Sequence, residues 1–316
     1  MLYKANTKED DGKKLTESYG AQGLPHFFLV DAQGGVLDRW VGYLLPGDWL
    51  AQFENAVSDP VPIALKASRF EQQPTEELAA ALARIRASEG DLAEAARLYA
   101  EAQRLAPAPR PRYAFATFMI EARGLATGQF STADVRAAAD AVMSMEPGDD
   151  LHRAYVGAML ADIGSEREEP ELATAYLEPA LQAAQRAEGE RAQRLAKRLE
   201  VDRALLVEKD LAKAYTLKKE SMPSGWEQDP DKLNEVAWWA FQHNTNLEDA
   251  AKLAQQGIDL AKEDSMRAAI LDTAAEIANA RGQRDEAIAL ITKAGELDPE
   301  NAYYKEQLAK FQGASS

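Results

Sequence analysis

The chain has 316 residues, 46% of them hydrophobic, which is enough for two domains or one extended repeat array and too apolar for wholesale disorder. Acidic residues outnumber basic ones 52 to 36, giving a formal net charge of −16 and a pI near 4.8, a balance that opposes binding to phosphate backbones and anionic membrane surfaces. There is no cysteine, so disulfides, thiolate catalysis and cysteine-based metal sites are excluded for this polypeptide, and no apolar run approaches a membrane span.

The first sixty residues differ in pattern from everything after them. Leu2 to Asn6 is a short strand candidate. Asp11 to Tyr19 has Leu15 and Tyr19 on one helical face, with Gly20 as the stop. Phe27 to Val30 is an apolar strand and Val36 to Tyr43 a second, joined by Asp31-Ala32-Gln33-Gly34-Gly35, which has hairpin-turn chemistry. A helix follows from Asp48 as N-cap, with Leu50, Phe53 and Val57 on one face. The expected order over 1–59 is β-α-β-β-α.

The run from Tyr19 to Asp31, together with Gly34-Gly35 and Gly42-Tyr43, resembles the thioredoxin family from its helix end through the cis-proline to the following hairpin. The resemblance implies that Pro25 is the cis-proline and that Leu24, Pro25 and His26 form the loop facing extended substrate. His26 stands where the family usually has Thr. The family's first strand and CxxC helix have no counterpart among the 24 residues before Pro25, and without a thiolate there is no nucleophile for disulfide exchange. Two accounts fit this half-domain: a truncation with Met1 inside the expected second strand, or decay into a packing appendage. The first leaves an alternative function, a fragment of a thiol–disulfide oxidoreductase whose catalytic half lies upstream. The compartment stays open: cytoplasmic if Met1 is the true start, periplasmic or secreted if a signal peptide lies upstream.

Prolines at 60, 62 and 74 bracket an expected linker, 60–74. Beyond it the composition turns to Ala, Leu, Glu and Arg with helical periodicity. Gly90, Ala95, Tyr99, Ala102 and Pro107 reappear as Gly282, Ala287, Ile291, Ala294 and Pro299, each pair 192 residues apart, and Ala250, Ala254 and Gly257 form a weaker third copy. The Gly opens a tight turn between helices, the small residues let backbones approach, and the Pro stops the second helix. This pattern resembles the second half of a tetratricopeptide repeat; Leu233-Asn234-Glu235-Val236-Ala237-Trp238-Trp239 and Leu271-Asp272-Thr273 resemble a tandem of bacterial members of that family. The expected helices are 75–89, 92–105, 112–126, 131–145, 150–164, 170–187, 190–207, 210–220, 230–243, 247–261, 265–281, 284–296 and a cap at 300–312. The fold class is therefore mainly α, a tetratricopeptide-like α-α solenoid over 75–312 behind a small incomplete α/β thioredoxin-like segment.

His26, His152 and His243 are too scattered to suggest a metal ligand set, and no phosphate loop, HExxH or GxSxG is present, so no cofactor or metal is expected. The tetratricopeptide resemblance implies that repeat-opening helices line a concave groove. Phasing from Gly90, Ala250 and Gly282 puts Arg84, Glu235, Trp239, Gln242, Asp272, Glu276 and Asn279 there. Trp239 among carboxylates suits a basic or aromatic-rich protein or peptide partner; the alternative for Trp238 and Trp239 is packing between hairpins. The expected function is a non-enzymatic protein-interaction scaffold, with no nucleic-acid or membrane partner and an undetermined oligomeric state.

Overall fold

The computed structural model describes residues 3–21, 23–42 and 46–313, and the chain divides into two compact units, 1–156 and 157–316. The first unit opens with α1 (Asp10–Tyr19), a hairpin of β1 (His26–Val30) and β2 (Val36–Val41), α2 (Pro46–Ser58) and α3 (Ile63–Gln72). It continues with α4 (Glu76–Glu89), α5 (Leu92–Leu105), α6 (Pro111–Leu125) and α7 (Thr132–Ser144). Helix α8 (Asp150–Glu166) crosses the division. The second unit carries α9 (Glu171–Arg186), α10 (Glu190–Leu206), α11 (Leu211–Ser221), a 3-10 turn at Trp226–Gln228, α12 (Pro230–Gln242), α13 (Leu247–Leu260), α14 (Asp264–Ala280), α15 (Arg284–Leu297) and α16 (Ala302–Gln312). Every helix expected from residue 75 onward is present, with ends within two residues of expectation.

Four expectations for the amino-terminal segment change. Tyr3–Asn6 is not a strand: Asn6 Oδ1 accepts from the Lys8 backbone at 3.1 Å and starts a turn into α1; Leu2 lies outside the described residues. Strand β2 ends at Val41: Gly42, at φ 92°, still donates to the Pro25 carbonyl at 2.8 Å, but proline has no N–H to return the second ladder bond; Tyr43 lies outside the described residues. Helix α2 starts at Pro46, whose fixed φ suits a first helical position, so Asp48 sits inside the helix rather than capping it. The expected linker is mostly α3, which packs on α4 and β2.

Strand β1 pairs antiparallel with β2, His26 opposite Val41 through Leu29 opposite Asp38, and these are the only two strands among the described residues. The Leu24–Pro25 peptide is cis. Four consecutive β2 residues, Leu37 to Trp40, are buried, so both faces of the strand are covered. Charged side chains hold it to the helices. Arg84 Nη2 of α4 donates to Asp38 Oδ2 at 2.6 Å. Arg39 donates to the Tyr19 and Gly20 carbonyls at 3.2 and 2.8 Å and lies 3.6 Å from Glu89. Lys66 Nζ of α3 caps the Leu37 carbonyl at 3.0 Å. Buried charges with their partners in place are tolerated; the same charges alone are costly.

Within each unit, successive helices pack across short turns, as the repeat residues dictate. Gly90 and Gly282 take φ 85° and 77°, left-handed values that close the turn without a Cβ penalty. Ala95, Ala102, Ala287 and Ala294 are fully buried, as are Ala250 and Ala254 of the third copy. Tyr99 packs beside these alanines and Ile291 is buried among them, filling the groove between helices. Asp91, Ser131 and Asp210 cap α5, α7 and α11 through their side chains. In the second unit α8 and α9 meet at Gly157, where an added Cβ would lie 2.3 Å from the Cβ of Ala180. Gly157→Ala is therefore expected to destabilise the chain by about 1–3 kcal/mol, although alanine improves helix propensity by about 1 kcal/mol. Urea unfolding checks this; a stabilised variant would contradict the close approach.

Candidate functional site

Helices α12 and α14 of the second unit pack directly on each other, whereas α10 and α12 face one another across a cleft of about 790 Å3. Ala161 and Asp162 of α8 and Pro170 form one side; Val201, Asp202 and Leu205 of α10 form the floor; Lys218 of α11 and Glu235, Trp239, Gln242 and His243 complete it.

Three of the seven groove residues expected from sequence, Glu235, Trp239 and Gln242, are thus brought together. Glu235 accepts from Lys218 and Lys232 at 2.7 and 2.8 Å, and these cations hold its carboxyl below the usual range despite partial burial. Trp239 stacks on the buried Tyr215 with ring centroids 6.3 Å apart and meets His243 at 4.3 Å, leaving the indole half-buried at the cleft wall. Burial lowers the His243 pKa, so its imidazole is neutral at pH 7. Gln242 is exposed.

The other expected residues lie elsewhere. Arg84 belongs to the first unit and is committed to Asp38. Asp272 and Glu276 do not line an open groove, because α16 covers them: Tyr303 donates to Asp272 at 3.3 Å and Lys310 to Glu276 at 2.6 Å, leaving the two carboxylates 9% and 5% exposed. The last helix thus packs over the face of α14 that carries both carboxylates. Asn279 is exposed near the end of α14. In the amino-terminal loop, Leu24 is largely exposed, the Pro25 carbonyl accepts from Gly42 at 2.8 Å, and His26 stacks on Phe28 at 4.2 Å. Burial, helped by Arg39, lowers the His26 pKa to about 4, so it is a neutral packed residue.

The charged groups at the cleft floor are not among the residues expected from sequence. Arg198 Nη2 donates to Asp162 and, at 3.3 Å, to the Ala158 carbonyl, while its Nε stands 3.5 Å from Asp202 Oδ2. That last distance is an ion-pair contact too long for a good hydrogen bond, and Oδ2 has no hydrogen-bond partner. Burial, reinforced by Asp162, raises the Asp202 pKa to about 6. The signal was available: Arg198 and Asp202 stand four apart on α10, the opening helix of a hairpin. The middle hairpins lack repeat signatures, so their helices were not phased.

The Asp202 shift has a stability consequence. An acid whose folded pKa lies above its unfolded value destabilises the fold once ionised, so stability is fullest below about pH 4 for this group and falls as pH rises through 6. Asp202→Asn is expected to gain about 2 kcal/mol at pH 7.5 and nothing at pH 4. Urea unfolding of both chains across that range checks it; equal stabilities at pH 7.5 would contradict the burial of an under-paired charge.

Among the described residues no cluster of His, Asp and Glu has the makings of a metal site, and no helix is long and apolar enough to cross a membrane. No family model matches the chain and no curated protein matches it. Solved structures similar to it include the following two. A tetratricopeptide repeat protein from Parabacteroides merdae is 14% identical, with 84% of this chain and 95% of that one covered and a TM-score of 0.47. A thermophilic tetratricopeptide-repeat protein of Thermus thermophilus is 17% identical, with 75% and 99% covered and a TM-score of 0.29.

Proposed function

We propose that this chain is a non-enzymatic protein-interaction scaffold of the tetratricopeptide type, binding an extended segment of a partner in the cleft between α10 and α12. The repeat reading is supported by Gly90 and Gly282 at left-handed turns and by the buried alanines spaced identically after each. The observation that carries the binding site is the convergence of a half-buried Trp239, the apolar Val201 and Leu205 and the unbonded Oδ2 of Asp202 in one cleft. Aromatic anchors in desolvated pockets dominate protein-recognition energy, and a partner that is basic or aromatic-rich fits this lining. Arg84, Asp272, Glu276 and Asn279 drop out of the proposed contact surface.

The amino-terminal segment is read as a partial thioredoxin-like module on the order of its elements and the position of Pro25 before β1. It has no thiol, so no residue in it carries disulfide exchange.

The test is selection of peptides from a random dodecapeptide library on the full chain. Peptides retained by the wild type are expected to bind Trp239→Ala about 10- to 100-fold more weakly, with helix content unchanged. Equal affinity for a folded Trp239→Ala chain would remove the cleft as the binding site.

A further inference from the structure

Resting on the cleft as the binding face, we propose that it is specific for an arginine of the partner segment, whose guanidinium is received by Asp202 while a neighbouring apolar side chain lies against Trp239.

Charge accounting within the cleft points that way. Its acidic groups are Asp162, Glu168, Asp202 and Glu235; its basic groups are Arg198, Lys209 and Lys218. Lys218 is bound to Glu235, and Arg198 spends its hydrogen bonds on Asp162 and the Ala158 carbonyl. Lys209 is exposed. Glu168 is exposed to solvent. Asp202 is the largely buried carboxylate of the cleft, its side chain 18% exposed, with Oδ2 unbonded and only the Arg198 Nε ion pair at 3.5 Å. Over residues 157–316 there are 30 acidic and 20 basic residues, so the field of this unit draws in cations.

Arginine fits this position better than lysine. A guanidinium sheds water more easily than an ammonium, offers planar donors that match a carboxylate, and stacks on indole faces. The cleft already shows the preference, since its own Arg198 is shared between Asp162 and Asp202. The raised pKa of Asp202 comes first from burial, which outweighs the Arg198 ion pair 3.5 Å away. The groups facing it are Asp162 from α8, Arg198 from its own helix and Lys218 from α11, and these leave the shift upward. A bound guanidinium requires the ionised form, so affinity falls as pH drops below about 6.

The experiment uses the full chain and the dodecapeptides it selects. Arginine is expected at one fixed position of the selected sequences. A synthetic selected peptide is expected to bind at least 10-fold more weakly when that arginine becomes lysine, and more weakly still when it becomes citrulline, the neutral isostere. Asp202→Asn is expected to lose at least 10-fold in affinity for the arginine peptide while discriminating little against citrulline, and wild-type affinity is expected to fall between pH 7.5 and 5. Selected peptides without a fixed arginine, no selected peptides at all, or an Asp202→Asn chain that binds as the wild type does overturn the proposal. The underlying reading fails separately: loss with Trp239→Ala but not with Asp202→Asn removes the arginine and keeps the cleft, whereas insensitivity to both removes the cleft as well.

Discussion

Replacing Arg84 with methionine is expected to destabilise the first unit by about 3 kcal/mol, the largest effect of any single substitution considered. The guanidinium is the partner of Asp38, whose side chain is 1% exposed, and its removal strands that carboxylate among Trp40 and the surrounding helices. The same logic predicts recovery: the double variant Asp38→Leu/Arg84→Met is expected to regain most of the loss, because a well-packed apolar pair often equals a buried ion pair. By contrast Arg97→Ala, which breaks an exposed pair with Glu94 one turn away, is expected to cost about 0.5 kcal/mol or less. Urea unfolding of the four chains, with hydrogen exchange read on residues 26–42, checks the series. A small effect of Arg84→Met alone would mean that the hairpin is not held by this pair.

Starting the chain at Thr75 is expected to lower the protection of amides in α4 and α5 by about 100-fold, equivalent to about 2.7 kcal/mol. Residues 1–74 supply the cover for that end of the helical array. Ala67 and Phe70 of α3 pack on the buried Leu82, Ala83 and Leu98, and β2 lies on α4 with its ion pairs to Arg84 and Glu89. Terminal repeats with an uncovered apolar face need such a cap. Hydrogen exchange on the shortened chain tests this, and unchanged protection across 76–105 would show that the amino-terminal segment is an appendage.

This is also where the sequence was hardest to read. Helical periodicity in an Ala-rich chain is a local signal, so the helices from residue 76 onward were legible nearly to the residue, as was the role of Gly90 and Gly282. Prolines 60, 62 and 74 mark chain breaks equally well around a linker and around a short helix, and α3 was hidden for that reason. Asp38, Arg39 and Lys66 look like ordinary surface charges in sequence; only tertiary contact makes them buried fasteners. The site divided in the same way. Glu235, Trp239 and Gln242 followed from helix phase, which is local. The covering of Asp272 and Glu276 by α16, and the gap between α10 and α12, depend on how whole helices are spaced, and no periodicity reports that.

The central claim is that a partner segment binds between α10 and α12. Hydrogen exchange of the full chain, with and without a saturating concentration of a selected dodecapeptide, tests it most directly. Slowed exchange is expected in residues 198–209 and 235–243, with residues 264–279 and 302–312 unchanged. Protection confined to the segment from Asp264 through α16, or to the β1–β2 hairpin, would contradict it.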